Sequence, residues 1–314
     1  MSIIENALNK LGTKSTPVAE AVPPSPVAEP SNLVEQAAAK AKAVAAQASP
    51  APAPSAMPRP AADDQVSRQV HVDLAKLRAR GLLTGDDERS QVAEEYRLIK
   101  RPILANAFGS NPVRKGNMVM VTSSLPGEGK TFSTINLAIS IAMEMDRTVL
   151  LVDADVAKPR LPEYLGFNAE HGLLDILRQG TQDLSNAILR TNIDKLAILP
   201  AGRTYARATE LLASDAMHRL IDDLANRYPD RLVLFDSPPL LSTSESSVLA
   251  AHMGQIVMVV EADKTPQAAL RDALARIEGA CDVVGLVLNK TTGRHGGGYY
   301  YYGNYGYGGY AKQA

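Results

Sequence analysis

Six apolar runs, each about the length of one strand, alternate with helix-like stretches across residues 117–290. The runs are "NMVMVTSS" (117–124), "TVLLVDAD" (148–155), "KLAILPAG" (195–202), "RLVLFDSPP" (231–239), "QIVMVVEA" (255–262) and "DVVGLVLNK" (282–290). They are continuous rather than alternating, the pattern of parallel strands buried on both faces. Helical patterns fill the intervals at 131–145, 172–179, 207–227, 244–251 and 265–279, and a further helix is expected within "DDERSQVAEEYRLIKRPIL". Strand and helix in strict alternation imply an α/β fold. Its core is a doubly wound, mostly parallel sheet flanked by helices, with ligands at the carboxyl ends of the strands.

The pattern does not fill the chain. Residues 1–15 are expected to hold a short amphipathic helix with Ile3, Ile4, Ala7, Leu8 and Leu11 on one side. Residues 16–63 turn to Pro, Ala and Ser and read as a disordered linker, with "LVEQAAAKAKAVAAQA" inside it as a solvated spacer or a transient helix. The α/β domain is expected over 64–290. Residues 291–314 form a Gly/Tyr-rich flexible tail that carries seven of the eleven tyrosines in the chain. One cysteine, Cys281, rules out a disulfide framework and points to a reducing compartment. A net charge of −1 gives no sign of nucleic-acid binding. No apolar run reaches the length of a membrane span, and "MSIIENALNKLGTK" is not a signal peptide. A cytoplasmic protein is expected, with any membrane contact made through a partner.

Three motifs carry chemistry. "SSLPGEGKTFSTINLA" follows a strand and opens a helix, the setting of a phosphate-binding loop. Gly127 and Gly129 let backbone N–H groups turn toward phosphate oxygens, and the following helix adds its positive end. Lys130 can reach the β- and γ-phosphates, and the Thr131 hydroxyl can bind Mg²⁺. ATP contacts are expected from Pro126, Gly127, Glu128, Gly129, Lys130, Thr131 and Phe132. Ser124 stands where the usual pattern begins with glycine. In "TVLLVDADVAKP", Asp153 and Asp155 are two residues apart at a strand end, so both carboxylates can face one site. There they can flank Mg²⁺, and one can accept a proton. In "RLVLFDSPP", four apolar residues run into Asp236, the arrangement of a metal-holding Walker B acid, and Pro238 and Pro239 stop the strand. Asn289 ends the last strand, where an amide can read an adenine edge or simply form a turn. Glu94, Arg97 and Lys100 recur every three residues on a helix, as a solvated face or as a stripe that pairs with another subunit.

"SSLPGEGKT", "LLVDADVAKP", "LVLFDSPP" and the terminal tyrosine cluster together resemble the bacterial tyrosine kinases of exopolysaccharide loci, whose fold is similar to that of MinD/ParA-type ATPases. The likeness spans about residues 85–310, includes "GRTYARATELLAS", and is nearest to the single-chain cytoplasmic members. The resemblance implies a P-loop protein-tyrosine kinase that uses ATP and Mg²⁺. It implies catalysis by Lys130, Asp153 and Asp155, and metal binding by Thr131, Asp153 and Asp236. It implies autophosphorylation of Tyr299, Tyr300, Tyr301, Tyr302, Tyr305, Tyr307 and Tyr310. It also implies a homo-oligomer, with a ring as its expected form, built through Glu94, Arg97 and Lys100. The third member of that stripe departs from the family's arginine and loses the planar fork. The implied partners are a membrane activator of the polysaccharide co-polymerase class and a tyrosine phosphatase. The activity would regulate polysaccharide polymerisation and export.

Leu125 stands where MinD-type ATPases carry a second lysine, which argues against a sandwich dimer. The competing reading is a MinD/ParA-like ATPase without kinase activity whose tail binds a partner. A glycine-rich arm favours the kinase. From Thr291 to Tyr299 an extended chain spans about 25–30 Å, enough to deliver a phenol to a neighbouring subunit.

Overall fold

The computed structural model describes residues 68–86, 90–180, 184, 186–227 and 230–291. The expected helix over 1–15, the linker over 16–63 and the seven tail tyrosines Tyr299–Tyr310 lie outside the described residues.

Each of the six apolar runs is a strand: β2 (Met118–Ser123), β3 (Thr148–Asp153), β5 (Leu196–Leu199), β6 (Arg231–Asp236), β7 (Gln255–Glu261) and β8 (Val283–Asn289). Two shorter strands join them, β1 (Gln69–Val70) and β4 (Leu189–Thr191). Among the described residues the sheet runs β1-β4-β5-β3-β6-β2-β7-β8. Every neighbouring pair is parallel except β4 with β5. The expected fold class is therefore the observed one. β4 is too short to announce itself. It forms because the Thr191 hydroxyl bonds Ile193 and Leu196 around a tight reversal in which Lys195 adopts φ 61°.

The helices are α1 (Leu74–Ala79), α2 (Gln91–Phe108), α3 (Lys130–Ala142), α4 (Leu161–Leu165), α5 (Leu173–Gln179), α6 (Ala208–Leu212), α7 (Asp215–Arg227), α8 (Glu245–Ala250) and α9 (Gln267–Ala275). The single helix expected over 207–227 is two. Ser214 lies between them and its hydroxyl bonds the Leu211 carbonyl, a local alternative to continuing the helix. α7 then buries Met217, Leu220, Ile221 and Leu224 at i, i+3, i+4 and i+7.

Two apolar clusters sandwich the sheet. One joins Met120, Leu150, Phe235, Met258 and α7. The other joins Val121, Leu151, Leu234 and Val259 to α2 and α3. Burial on both faces holds for β2, β3 and β6, as continuous apolar runs require. It fails for β8. That strand closes one side of the sheet, and its Val284, Leu286 and Leu288 are 39%, 58% and 59% exposed.

The topology puts the chemistry in one place. β6 lies between β3 and β2, and its register sets Asp236 directly opposite Asp153 on one side and Val121 on the other. The loops leaving β2, β3 and β6 therefore emerge side by side, at the point where the chain order around β2 reverses.

Candidate active site

The loop after β2 turns on Gly127 (φ 88°) and Gly129 (φ 97°), left-handed conformations that side chains disfavour. At Gly129 a Cβ would also lie 2.0 Å from the Asn289 side-chain nitrogen. Gly129 opens α3, so Lys130 and Thr131 form its first turn, where the helix end carries partial positive charge.

The Lys130 ammonium donates to Asp155 Oδ2 at 2.6 Å and lies 3.8 Å from Asp236 Oδ1. The Thr131 hydroxyl donates to Asp236 Oδ2 at 2.7 Å, and the Thr134 hydroxyl to Asp236 Oδ1 at 3.3 Å. Residues from the three motifs thus meet in one buried cluster. Asp155 has a second contact, because its Oδ1 accepts the Lys158 N–H and fixes the turn after β3. Asp153 accepts the Leu161 N–H on one oxygen, while Oδ1 is buried without a hydrogen-bond partner. Burial, reinforced by Asp236, pushes the Asp153 carboxyl well above the usual carboxylate range. Burial raises Asp236 as well, against the pull of Lys130 and Thr131. For Lys130 burial disfavours the charge, but Asp236 and Asp155 outweigh it and the ammonium titrates above the ordinary lysine range.

A cavity of about 440 Å³ opens beside this cluster. Pro126, Gly127, Gly129, Lys130, Thr131 and Phe132, six of the residues expected to contact ATP, line it, and Asp155 lies in its wall. Asp153 and Asp236 stand behind, among the fully buried residues. Sequence reasoning missed the cations at its mouth, Lys158 and Arg160, and the ring of Tyr164. The signal was present in "DADVAKPRLPEY", where both cations follow the acid pair directly.

Two expected contacts take another form. Glu128 is buried, with its carboxylate turned into the loop to accept the Leu125 N–H at 2.8 Å and the Thr265 hydroxyl. Asn289 donates to the Glu128 carbonyl at 2.9 Å and is not among the residues lining the cavity. Beside it, the Lys290 ammonium bonds the Gly127 carbonyl at 2.7 Å and Glu261 at 3.0 Å. The end of β8 thus clasps the phosphate loop from behind.

On α2, Glu94 and Arg97 pair with each other. Lys100 departs from the expected outward stripe. It is buried, pairs with Glu144 at 2.6 Å and donates to the Ser140 carbonyl at 2.6 Å. Its long stem follows the apolar α2–α3 seam and brings the charge to the end of α3.

Mg²⁺ fits the donors present. Among the described residues no group of three or more His, Cys, Asp or Glu side chains is gathered closely enough to hold a metal alone. Mg²⁺ needs no such cage, because it binds through one or two carboxylates plus phosphate oxygens and water. The Thr131 hydroxyl, Asp236 and the unpartnered Asp153 oxygen are the groups that would hold it.

Residues 116–284 match the family model described as an AAA domain. The chain is 34% identical over 199 residues to the putative tyrosine-protein kinase EpsB of Ralstonia solanacearum, covering 61% of this chain and 26% of that protein. It is 28% identical over 222 residues to the putative tyrosine-protein kinase CapB of Staphylococcus aureus, covering 70% of this chain and 94% of that one. The kinase domain of the Escherichia coli tyrosine kinase ETK aligns structurally with a TM-score of 0.60 and 26% identity, covering 70% of this chain and 84% of that domain. The chain therefore spans about a quarter of the length of EpsB and most of the length of CapB. Among the described residues, no helix is long and apolar enough to cross a membrane.

Proposed function

This chain belongs to the AAA domain family, and from that premise we propose that it is an ATP-dependent protein-tyrosine kinase acting on its own C-terminal tyrosines. The observation that carries the reading is the meeting of Lys130, Thr131, Asp155 and Asp236 beside a 440 Å³ cavity, in a chain that ends in seven clustered tyrosines. The curated relatives named as tyrosine-protein kinases support it.

In this reading the loop amides and Lys130 hold the β- and γ-phosphates. A phosphate oxygen arriving there competes with Asp155 for the Lys130 ammonium. The exchange frees the Asp155 carboxylate in the cavity wall, where an incoming phenol arrives. Mg²⁺ held by Thr131, Asp236 and Asp153 would neutralise charge on the same phosphates. The phenolic oxygen bonds to the γ-phosphorus, the bond to the β–γ bridging oxygen breaks and ADP leaves. The phenol proton passes to Asp155. Lys158 and Arg160 at the mouth favour the anionic groups that enter and leave.

The tail serves a neighbouring copy, so the enzyme works as a homo-oligomer in which α2, with Glu94 and Arg97, lies at the contact. A membrane protein of the polysaccharide co-polymerase class activates it, a tyrosine phosphatase resets it, and the cycle regulates polysaccharide export. The test is mass spectrometry of protein incubated with Mg²⁺ and ATP. Phosphotyrosine confined to residues 299–310 and absent from Lys130→Met is the expected result. ATP hydrolysis with unmodified tyrosines would establish the ATPase reading instead.

A further inference from the structure

β8 presents two features that soluble proteins ordinarily cover. Among the described residues its outer edge has no partner strand. Its Val284, Leu286 and Leu288 recur at every second position and so share one face of the sheet. The register sets them beside Ile256, Met258 and Val260 of β7. On β7 that face is packed into the core with α9. On β8 it is 39%, 58% and 59% exposed. Three exposed aliphatic side chains in a row on an open strand form a continuous apolar ledge, not scattered surface residues.

The chain leaving β8 supplies something that fits. Residues 291–298, "TTGRHGGG", are polar and rich in glycine, a composition suited to reversing the chain. "YYYY" follows at once, and no charged residue occurs from Tyr299 to Tyr310. In an extended segment Tyr299 and Tyr301 share one face and Tyr300 and Tyr302 the other.

We propose that β8 is the docking site of this chain's own Tyr299–Tyr302 segment, which adds to the open edge as an antiparallel strand and lays alternate rings on Leu286 and Leu288. Main-chain hydrogen bonds supply the pairing, and the aliphatic ledge selects aromatic side chains, as in other strand additions. The short connector holds the segment at an effective concentration on the order of millimolar. A second copy lacks that advantage, and residues 1–11 stand more than fifty positions before the first described residue, Arg68. The docked segment is a resting place, in which four tyrosines are held away from any active site. On the kinase reading, each phosphate would bring about −1.5 to −2 charges onto an apolar ledge, and the segment would leave.

The docking itself does not depend on catalysis, and its test uses no nucleotide. Hydrogen exchange of the unmodified full-length protein is followed by mass spectrometry at low and high protein concentration. A full-length variant carrying Leu286→Ser and Leu288→Ser is compared with it. Peptides covering residues 299–302 should exchange at least about tenfold more slowly in the native chain than in the variant, at both concentrations, as a docked segment with its own opening equilibrium does. Peptides from β2 and β7 should be identical in the two proteins, which shows that the variant is folded. Tail amides that exchange at the free-peptide rate in the native chain overturn the proposal. So does protection that appears only at high concentration, which assigns the edge to a second copy. So does protection of residues 1–11 instead, which assigns it to the N-terminal segment.

Discussion

Lys130 is both the buried cation of the site and the partner of two buried carboxylates. Lys130→Met therefore has two effects. Phosphate binding and tyrosine transfer should be lost. Breaking a buried pair costs about 3–5 kcal/mol when the remaining charge cannot be relieved, and protonation of Asp236, whose carboxyl burial already raises, brings the loss toward the lower end. Thermal melts without nucleotide measure it, and an unchanged melt would mean that the ammonium is not engaged. Asp153 gives a prediction in pH. Its folded-state pKa lies above the unfolded value of about 3.9, so between the two the native state binds the extra proton. Stability from this group is present at low pH and falls as pH rises through that window. Asp153→Asn should flatten that fall and raise the neutral-pH melting temperature while reducing Mg²⁺-dependent transfer. The mutant keeping the native pH slope would locate the raised group elsewhere. Lys130, Thr131, Asp155 and Asp236 were legible because each sits at a fixed offset from a strand end. Glu128 with Thr265, and Asn289 with Glu128, were not. Those contacts join residues 137 and 161 positions apart, and nothing local announces them.

At the scale of elements the strands were legible where apolar runs are long, and their alternation with helices was enough to specify the sheet. What periodicity could not supply was position. "DVVGLVLNK" reads like "RLVLFDSPP", yet among the described residues one is an edge strand and the other is central, because burial is set by neighbours and not by the run itself. Lys100 makes the same point on α2, where its spacing suggests an outward stripe and the packing of α3 draws it inward. The clasp of β8 on the phosphate loop yields a prediction at this scale. Asn289→Ala removes one hydrogen bond to the loop and the amide that fills the space beside Gly129. A hydrogen bond of about 1 kcal/mol corresponds to roughly fivefold, so the KM for ATP should rise by about that factor. The kcat should change little, because the residue is not among those lining the cavity. A fall in kcat at unchanged KM would show that Asn289 acts on the reacting groups.

For the whole molecule the proposed function poses the question of whose tail enters whose site. Lys130→Met protein with its tail, mixed with active protein lacking residues 292–314, should become labelled on tyrosine. An unlabelled mixture would confine transfer to single chains. Assembly should also respond. Between residues 291 and 314 the only charged side chains are Arg294 and Lys312, apart from His295. Phosphate on all seven tyrosines would add roughly ten to fourteen negative charges. Arms side by side would repel, so ultracentrifugation should find the modified protein smaller. High salt should blunt the difference, since exposed charges are screened beyond about 8 Å at physiological ionic strength.

Asn289 and Lys290 hold the carbonyls of Glu128 and Gly127, and the tyrosine arm begins immediately after them. The arm is thus rooted on the loop that the proposed function assigns to phosphate. Thermodynamic linkage makes any coupling through that root symmetrical. If bound nucleotide changes the arm's docking equilibrium by some factor, docking changes nucleotide affinity by the same factor. Binding isotherms of the full chain and of one whose arm cannot dock would then measure the energy by which docking and nucleotide binding assist or oppose each other.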